Sequence, residues 1–344
     1  SRATNSCEAQ HGRARSPVFA RTVAGVVPDN LTDPGSVLVI CGPTAIGKTA
    51  VAMAVQDALG GRERAQLISA DSALIYRGMD IGTAKPTQQE QQRYPHALID
   101  IRDPSESYSA ADFVADADAE IARAAEAKKK PIVVGGTMMY LKCLLEGIAD
   151  LPTTDIALRR ELERELAERS AQSLHDELAQ QDPEAAGSIH PNNHQRLLRA
   201  LAVVRATGQP MSAQWRDNAT GTLFERTGLR HASVVMLPLQ RDQLNRRIAA
   251  RFRQMLGEGF LDEVQALMNR SDLTRDMSSM RAVGYRQAWG YLLEETDETT
   301  FIEQGIAATR QLAKRQRTWL RQWPDALEVV ADTPDQTIQT ILKR

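Results

Sequence analysis

Short apolar runs alternate with longer amphipathic stretches in the part of the chain that precedes residue 151. Four runs are short enough to form buried strands: 37–41, 66–70, 98–101 and 131–134. The stretches at 50–59 and 113–124 instead place apolar residues at the spacing of an amphipathic helix. Strands that alternate with helices predict an α/β fold with a doubly wound, mainly parallel sheet. Ligands of such sheets bind at the carboxyl ends of the strands.

The pattern becomes helical between residues 151 and 224. Amphipathic segments occur there at 158–168, 174–178 and 195–206. An apolar run at 233–239 then predicts another strand, and helical patterns follow at 243–256, 261–268, 285–293 and 301–323. We therefore predict one core domain formed by residues 35–150 and 225–344, interrupted by an all-helical insertion domain at 151–224.

Residues 1–34 differ from the rest of the chain in composition. They are rich in arginine and carry scattered glycine, proline and serine. This composition is compatible with a transit peptide, but the stretch lacks a clear amphipathic pattern. We expect a disordered extension here.

Composition and charge narrow the class of protein. With 344 residues, 42% of them hydrophobic, the chain can bury a sizeable core. A net charge of −2 does not suggest nucleic acid, although this average can hide local basic faces. The three cysteines (Cys7, Cys41 and Cys143) have neither disulfide nor zinc-site spacing. Because apolar runs stay well short of the roughly 20 residues of a membrane span, we expect a cytoplasmic protein.

The most specific motif follows the first apolar run. It reads Gly42, Pro43, Thr44, Ala45, Ile46, Gly47, Lys48, Thr49. A strand, Gly-x-x-x-x-Gly-Lys-Thr and a helix form the context of a P-loop, whose inward-pointing backbone N–H groups bind phosphate. Lys48 supplies a positive charge, and the Thr49 hydroxyl is a candidate ligand of Mg²⁺. The motif predicts binding of a di- or triphosphate, and taken alone it also fits ATP.

Two polar residues stand at predicted strand ends. Asp71 follows the run at 66–70, where an aspartate could hold Mg²⁺, act as a general base or simply form a turn. Thr137 follows two glycines after the run at 131–134 and could cap the next helix, serve the site, or do both.

Basic residues cluster in three segments. Arg196 and Arg199 lie on one predicted helix face, and 281–286 combines two arginines with a tyrosine. The stretch 310–321 carries five basic residues and no acidic one. Any one segment would ordinarily be a solvated face. Three in a net-acidic chain favour a phosphate-rich macromolecule as partner.

Taken together, the motifs are similar to one family. The ordered blocks 42–49, 71–86, 135–140, 195–199, 281–286 and 314–321 resemble the bacterial tRNA dimethylallyltransferase family. The block at 71–86 is far more specific than the P-loop. The resemblance implies transfer of a dimethylallyl group from its diphosphate to the exocyclic amine (N6) of the adenosine 3′ of the tRNA anticodon.

The same resemblance implies catalytic roles. Residues 42–49 would hold the diphosphate, with Mg²⁺ near Thr49 and with Lys48 taking part in catalysis. Asp71 would accept the proton of the adenine amine, and Thr137 would help to hold the reacting groups.

It also implies a set of positions that contact the anticodon stem-loop of tRNA. These are Asp71, Ser72, Ala73, Leu74, Thr137, Arg159, Gln195, Arg196, Leu197, Leu198, Arg199, Arg281, Ala282, Val283, Gly284, Tyr285, Arg286, Lys314, Arg315, Gln316, Arg317, Thr318, Trp319, Leu320 and Arg321. We expect a monomer.

Two other functions stay open on the residues alone. A small-molecule kinase would use the P-loop for ATP but would leave the basic segments without a role. An RNA-binding protein that senses nucleotide would not need Asp71 beside the phosphates.

Overall fold

The computed structural model describes residues 33, 35–149, 151, 155–217, 219–331 and 334–342. Apart from Asp33, the extension predicted at 1–34 lies outside these residues. The chain divides into two compact units. The helical unit is Ala149–Ala219, and the sheet unit contains the described residues up to Ile148 and from Thr220 onwards.

The sheet unit is built on parallel strands. They are β1 (Ser36–Cys41), β2 (Ala65–Ala70), β3 (His96–Ala97), β4 (Lys130–Gly135), β5 (Arg230–Leu237) and β6 (Ala326–Val330). Their order across the sheet is β3-β2-β4-β1-β5-β6. Every pairing is parallel, and β1 lies between β4 and β5. The predicted α/β class with a parallel sheet is confirmed.

Helices connect and cover these strands. In chain order they are α1 (Lys48–Ala58), α2 (Gln88–Arg93), α3 (Ala110–Glu126), α4 (Met138–Glu146), α5 (Ile156–Glu168), α6 (Ala171–Gln181), α7 (Pro183–Ser188), α8 (His194–Thr207), α9 (Met211–Asp217), α10 (Leu223–Thr227), α11 (Arg241–Gly257), α12 (Phe260–Met268), α13 (Tyr285–Leu292), α14 (Glu298–Leu320) and α15 (Pro334–Leu342). Within the described ranges, none is both long and apolar enough to cross a bilayer.

The core of the sheet unit follows the apolar pattern of the chain. All six residues of β1 are buried, because helices cover both faces of a parallel sheet. Helix α3 begins with a capping box between Ser109 and Asp112, and it buries Phe113, Ala117 and Ile121 completely. Strand β1 is held by β4, β5 and α1, which also fixes the loop that follows this strand.

The helical unit has a separate hydrophobic core. Leu162, Leu174, Leu178 and Leu197 are completely buried in it. Arg205 of α8 donates to both carboxylate oxygens of Glu165 on α5 and to Glu177 on α6. The fold of this unit therefore rests on its own apolar contacts and on a charge network between its helices.

The expectation of a strand at 98–101 is wrong. The strand is only the pair 96–97, because Leu98 and Asp100 take left-handed backbone angles (φ 65° and 57°) that cannot continue it. The Asp100 carboxylate instead accepts from Lys85 Nζ at 2.5 Å, and its backbone N–H donates to Leu74. The run thus forms a turn that supports the neighbouring loop.

Three other features differ from the sequence pattern. Strand β4 begins one residue before the predicted run at 131–134, at Lys130, which is buried and donates to Ser36. The helical unit ends at Ala219, so residues 220–224, including the start of helix α10, belong to the sheet unit and not to the predicted insertion at 151–224. Strand β6 and helix α15 were not predicted, since neither stretch has a strong period in the sequence.

Candidate active site

The phosphate-binding loop joins β1 to α1. The backbone of Ala45 (φ 62°) and Gly47 (φ 99°) is left-handed, which turns the chain sharply into the helix. At Gly42 a Cβ atom would come within 2.9 Å of the Met236 carbonyl oxygen of β5. The loop therefore packs directly on the carboxyl end of β5, and the amino end of α1 points its free N–H groups at the loop.

Lys48 carries a positive charge in a poorly solvated place. Its Nζ donates to the Pro43 carbonyl oxygen at 3.0 Å. Burial lowers the pKa of Lys48 to about 8, a shift that the Asp71 carboxylate opposes and the Arg251 guanidinium reinforces. Electrostatic interactions thus connect the side chains of Lys48, Asp71 and Arg251.

Asp71 and Thr137 meet at two adjacent strand ends. Ala70 of β2 pairs with Gly135 of β4, and each site residue follows its strand. The Asp71 carboxylate accepts from the Ala73 N–H at 2.9 Å. The Thr137 hydroxyl accepts from the Ser72 N–H at 3.0 Å, and makes no capping bond although Thr137 is the first residue before α4. Thr137 therefore fixes the loop that carries Asp71.

Arg251 was missed by the sequence reasoning. It lies on α11, three residues after the buried Ile248 and next to the buried Phe252. Its side chain is half-buried, and burial lowers its pKa against the opposing charge of Asp71. An arginine beside the apolar face of an amphipathic helix was the signal available in the sequence.

Gln316 was predicted to contact RNA but is buried beside the phosphate-binding loop. Its Oε1 accepts from the Thr44 N–H at 2.8 Å, and its Nε2 donates to the Gly136 carbonyl oxygen at 2.8 Å. The prediction of a direct RNA contact does not fit this placement, because the side chain is only 7% exposed.

The other positions predicted to bind RNA divide by exposure. In the sheet unit Arg281, Arg286, Lys314, Arg315, Thr318 and Arg321 are exposed, whereas Ala282, Val283, Arg317 and Trp319 are half-buried. In the helical unit Arg159, Gln195 and Arg196 are exposed, and Leu198 and Arg199 are half-buried. The side chains that face the cores are those of Leu197, Tyr285 and Leu320. Gly284 is buried too. The side chains of Leu197, Tyr285 and Leu320 thus belong to the cores, and the exposed basic residues remain the candidates for contact with RNA.

Metal binding at this site depends on few protein groups. In the described ranges, no three His, Cys, Asp or Glu side chains form a cluster able to hold an ion. The candidate ligand in the phosphate-binding loop is Thr49, the second residue of α1. This donor set fits Mg²⁺, which keeps several waters and takes its other oxygens from substrate phosphates.

A parallel α/β sheet with a P-loop after β1 and a carboxylate after β2, at the same edge of the sheet, defines a P-loop enzyme. A family model described as IPP transferase matches residues 74–323. A tRNA dimethylallyltransferase of Chromohalobacter salexigens is 50% identical over 304 residues, covering 88% of this chain and 95% of that protein. The chain belongs to the IPP transferase family.

Solved structures give the same result. The crystal structure of a full-length tRNA isopentenylpyrophosphate transferase from Bacillus halodurans has a TM-score of 0.62 at 36% identity, covering 90% of this chain and 95% of that one. A eukaryotic dimethylallyltransferase acting on tRNA has a TM-score of 0.71 at 25% identity, covering 88% of this chain and 75% of that one.

Proposed function

We propose that this chain transfers the dimethylallyl group of dimethylallyl diphosphate to N6 of the adenosine 3′ of the anticodon in tRNA, releasing diphosphate. The observation that carries the proposal is that Asp71 and Lys48 converge on the end of β4: Asp71 follows the paired strand β2, and a Cβ atom at Gly136 would lie 3.3 Å from Lys48 Nζ. A site that moves a group from a diphosphate to an amine needs a positive charge for the leaving group and a carboxylate that accepts the proton of the amine.

The loop supplies stabilisation of the leaving group. In the reaction the bond between the allylic C1 and the diphosphate oxygen breaks, and negative charge develops on that oxygen. The N–H groups at the start of α1, with Lys48 and Arg251, are fixed donors and positive charges for this oxygen. Groups that are already oriented toward developing charge lower the barrier most, because they need no reorganisation during the step.

Asp71 completes the transfer at the acceptor. As the adenine N6 forms its bond to C1, it must lose a proton, and the Asp71 carboxylate accepts it. Thr137 acts through the loop, since its hydroxyl holds the Ser72 N–H next to Asp71. The adenine reaches this site only when it leaves its stack, as other bases do in enzymes that modify them.

Mg²⁺ bound between Thr49 and the diphosphate would neutralise part of the charge of the leaving group. Thr49 is the residue that would hold it.

The macromolecular partner is tRNA, in our proposal bound by its anticodon arm. Its support is the exposed basic residues Lys314 and Arg315 on α14 and Arg321 directly after this helix, together with Arg281 and Arg286. The similar proteins are named for action on tRNA. Positive side chains of this kind bind the phosphate backbone without reading sequence.

The test is mass analysis of nucleosides from tRNA incubated with the protein, Mg²⁺ and dimethylallyl diphosphate, without ATP. We expect an adenosine that carries one dimethylallyl group. The Asp71→Ala variant should form it about 10²–10⁴ times more slowly, with little change in tRNA affinity. A product that requires ATP and carries new phosphate would instead establish the kinase alternative.

A further inference from the structure

Gln316 is a polar side chain on the apolar face of α14. The neighbours on that face are Ala313 and Leu320, which are 3% and 2% exposed, and Gln316 itself is 7% exposed. An apolar residue would fill such a position without a requirement for hydrogen bonds. A buried amide is stable there only because both of its ends are bonded.

The two ends of the amide bond to two different loops. Oε1 accepts from the Thr44 N–H in the phosphate-binding loop, which follows β1. Nε2 donates to the Gly136 carbonyl oxygen in the loop that follows β4. The next residue, Thr137, holds the Ser72 N–H beside Asp71. One side chain thus connects the loop for the diphosphate to the loop that fixes the base.

The contact leaves no spare room. A Cβ atom at Gly136 would lie 2.7 Å from Gln316 Nε2 and 3.3 Å from Lys48 Nζ. The Gly136 backbone is therefore packed between the amide of Gln316 and the ammonium group of Lys48, which brings the two loops together at the side chain of Gln316.

We propose that Gln316 is a positioning residue for the transfer reaction and not an RNA contact. By bonding to both loops it sets the distance between the diphosphate, held at 42–49, and the proton acceptor Asp71. Misplacement of reacting groups by about 1 Å costs on the order of 10²-fold in rate. The inference rests on the proposed function for the identity of the two substrates, and on the two hydrogen bonds for the role of the residue.

The variant Gln316→Met removes both hydrogen bonds and keeps the length of the side chain. We expect kcat at saturating tRNA and dimethylallyl diphosphate to fall by about 10- to 100-fold. The KM for the donor should rise a few-fold, and the Kd for tRNA should stay within about twofold, because the side chain does not reach solvent.

A second variant separates the two bonds. Gln316→Glu keeps an acceptor for the Thr44 N–H but loses the donor to Gly136 and places a negative charge beside the diphosphate. Its donor KM should therefore exceed that of Gln316→Met. This variant also carries the test if the methionine variant does not fold.

The matched control is Gln56→Met. Gln56 is another buried glutamine of the sheet unit, 1% exposed, and its Nε2 donates to the Ala65 carbonyl oxygen at 2.8 Å. It touches neither loop, so the control should lose thermal stability while kcat stays at the wild-type value.

Three results would overturn the inference. A raised Kd for tRNA with unchanged kcat would make Gln316 an RNA contact. A loss of stability with unchanged kcat, as in the control, would make it core packing. The third result is equal affinity of the wild type and Gln316→Met for inorganic diphosphate in calorimetry, which would refute the loop contact. A wild-type protein that does not prenylate tRNA would defeat the proposed function alone, and the calorimetric test would still apply.

Discussion

At the scale of single residues, the ammonium group of Lys48 is buried, which makes its positive charge easier to lose. Most surface lysines stay protonated far above neutral pH, with pKa values near 10.4. Burial is the main reason that the pKa of Lys48 is lowered to about 8; Asp71 opposes this lowering and Arg251 adds to it. The positive charge that the diphosphate needs is therefore lost at a mildly alkaline pH.

This gives a prediction for the pH dependence of the enzyme. A lysine is charged below its pKa, so kcat/KM for dimethylallyl diphosphate should be level below about pH 8 and fall about tenfold per pH unit above it. The kcat should fall later, because bound diphosphate favours the charged amine. Steady-state kinetics over this range provide the measurement.

The control for this prediction is Lys48→Arg. Arginine keeps its charge throughout, so the variant should be slower but should lack the alkaline fall near pH 8. An identical alkaline fall in both proteins would assign that titration to another group.

The residues of the site differ in how readily the sequence reveals them. Lys48, Asp71 and Thr137 stand at motif positions or strand ends, and the fold brings these strand ends together. Arg251 and Gln316 come from helices far along the chain, and their importance depends on which helix face turns toward the loop. That orientation results from packing, which a single sequence does not contain.

At the scale of elements, Glu263 of α12 holds the loop at 80–82. Its carboxylate accepts from the N–H groups of Asp80 (2.8 Å), Ile81 (2.7 Å) and Gly82 (3.1 Å). It also accepts from the hydroxyl of Tyr285 at 2.5 Å. Burial and this carboxylate raise the pKa of Tyr285 well above its usual range. The block at 71–86 thus keeps its shape through a residue outside it.

Removal of the Glu263 carboxylate should lower the stability of the fold. Glu263→Ala leaves three backbone N–H groups and one hydroxyl without their acceptor, so we expect the free energy of unfolding to fall by about 2–4 kcal/mol. Urea unfolding gives the measurement. Glu263→Gln, which keeps one carbonyl oxygen, should lose less.

The comparison variant is Glu303→Ala, an exposed glutamate on α14. Its free energy of unfolding should stay within about 0.5 kcal/mol of the wild type. If Glu263→Ala were equally mild, the loop would owe its conformation to other contacts.

Helix α14 exposes Lys314 and leaves Arg317 half-buried, whereas Gln316 lies on its buried face. If Lys314 and Arg317 contact RNA phosphates, their joint replacement by glutamine should weaken tRNA binding. It should also flatten the dependence of log K on log salt concentration by about two units or somewhat less. Affinity for dimethylallyl diphosphate should not change.

The matched control replaces Arg62 and Arg123, whose side chains are 61% and 66% exposed. This pair should leave the salt slope as it is in the wild type. Equal slopes in all three proteins would show that Lys314 and Arg317 form an ordinary solvated face.

Elements with strong local signals were predictable. The runs at 37–41, 66–70 and 131–134 lie in β1, β2 and β4, and the amphipathic stretch at 113–124 lies in α3. The run at 98–101 has the same apolar character. Its conformation is decided by Lys85, whose ammonium group binds Asp100 and the Tyr76 carbonyl oxygen. A contact between distant residues therefore overrides the local preference.

At the scale of the whole molecule, the sheet unit is one fold made from two segments of chain. The segments meet at Ile148 and Thr220. The Thr220 N–H donates to the Ile148 carbonyl oxygen at 2.8 Å, and the Ile148 N–H donates to the Thr220 hydroxyl at 2.9 Å. The adjoining Ala149 and Ala219 form an antiparallel bridge.

These contacts predict that the helical unit can be excised. Residues opposite each other in an antiparallel bridge have Cα atoms only about 5 Å apart, so two glycines can replace residues 150–218. The shortened protein should unfold cooperatively and bind inorganic diphosphate like the full chain. It should lose part of its affinity for tRNA, if Arg159 and Arg196 contact the anticodon arm. Circular dichroism melts and calorimetry are the measurements, and an aggregated product would show that the sheet unit needs the insertion.

The discontinuous sheet has a consequence for the synthesis of the protein. Strand β1 pairs with β4 on one edge and with β5 on the other, and β5 ends at Leu237. A ribosome that adds about 5–20 residues per second needs roughly 10–40 s to travel from the end of β1 to the end of β5. Through that interval one edge of an apolar strand has no partner, and such edges invite pairing with other chains. The phosphate-binding loop, although encoded early, is among the last parts of the enzyme to mature.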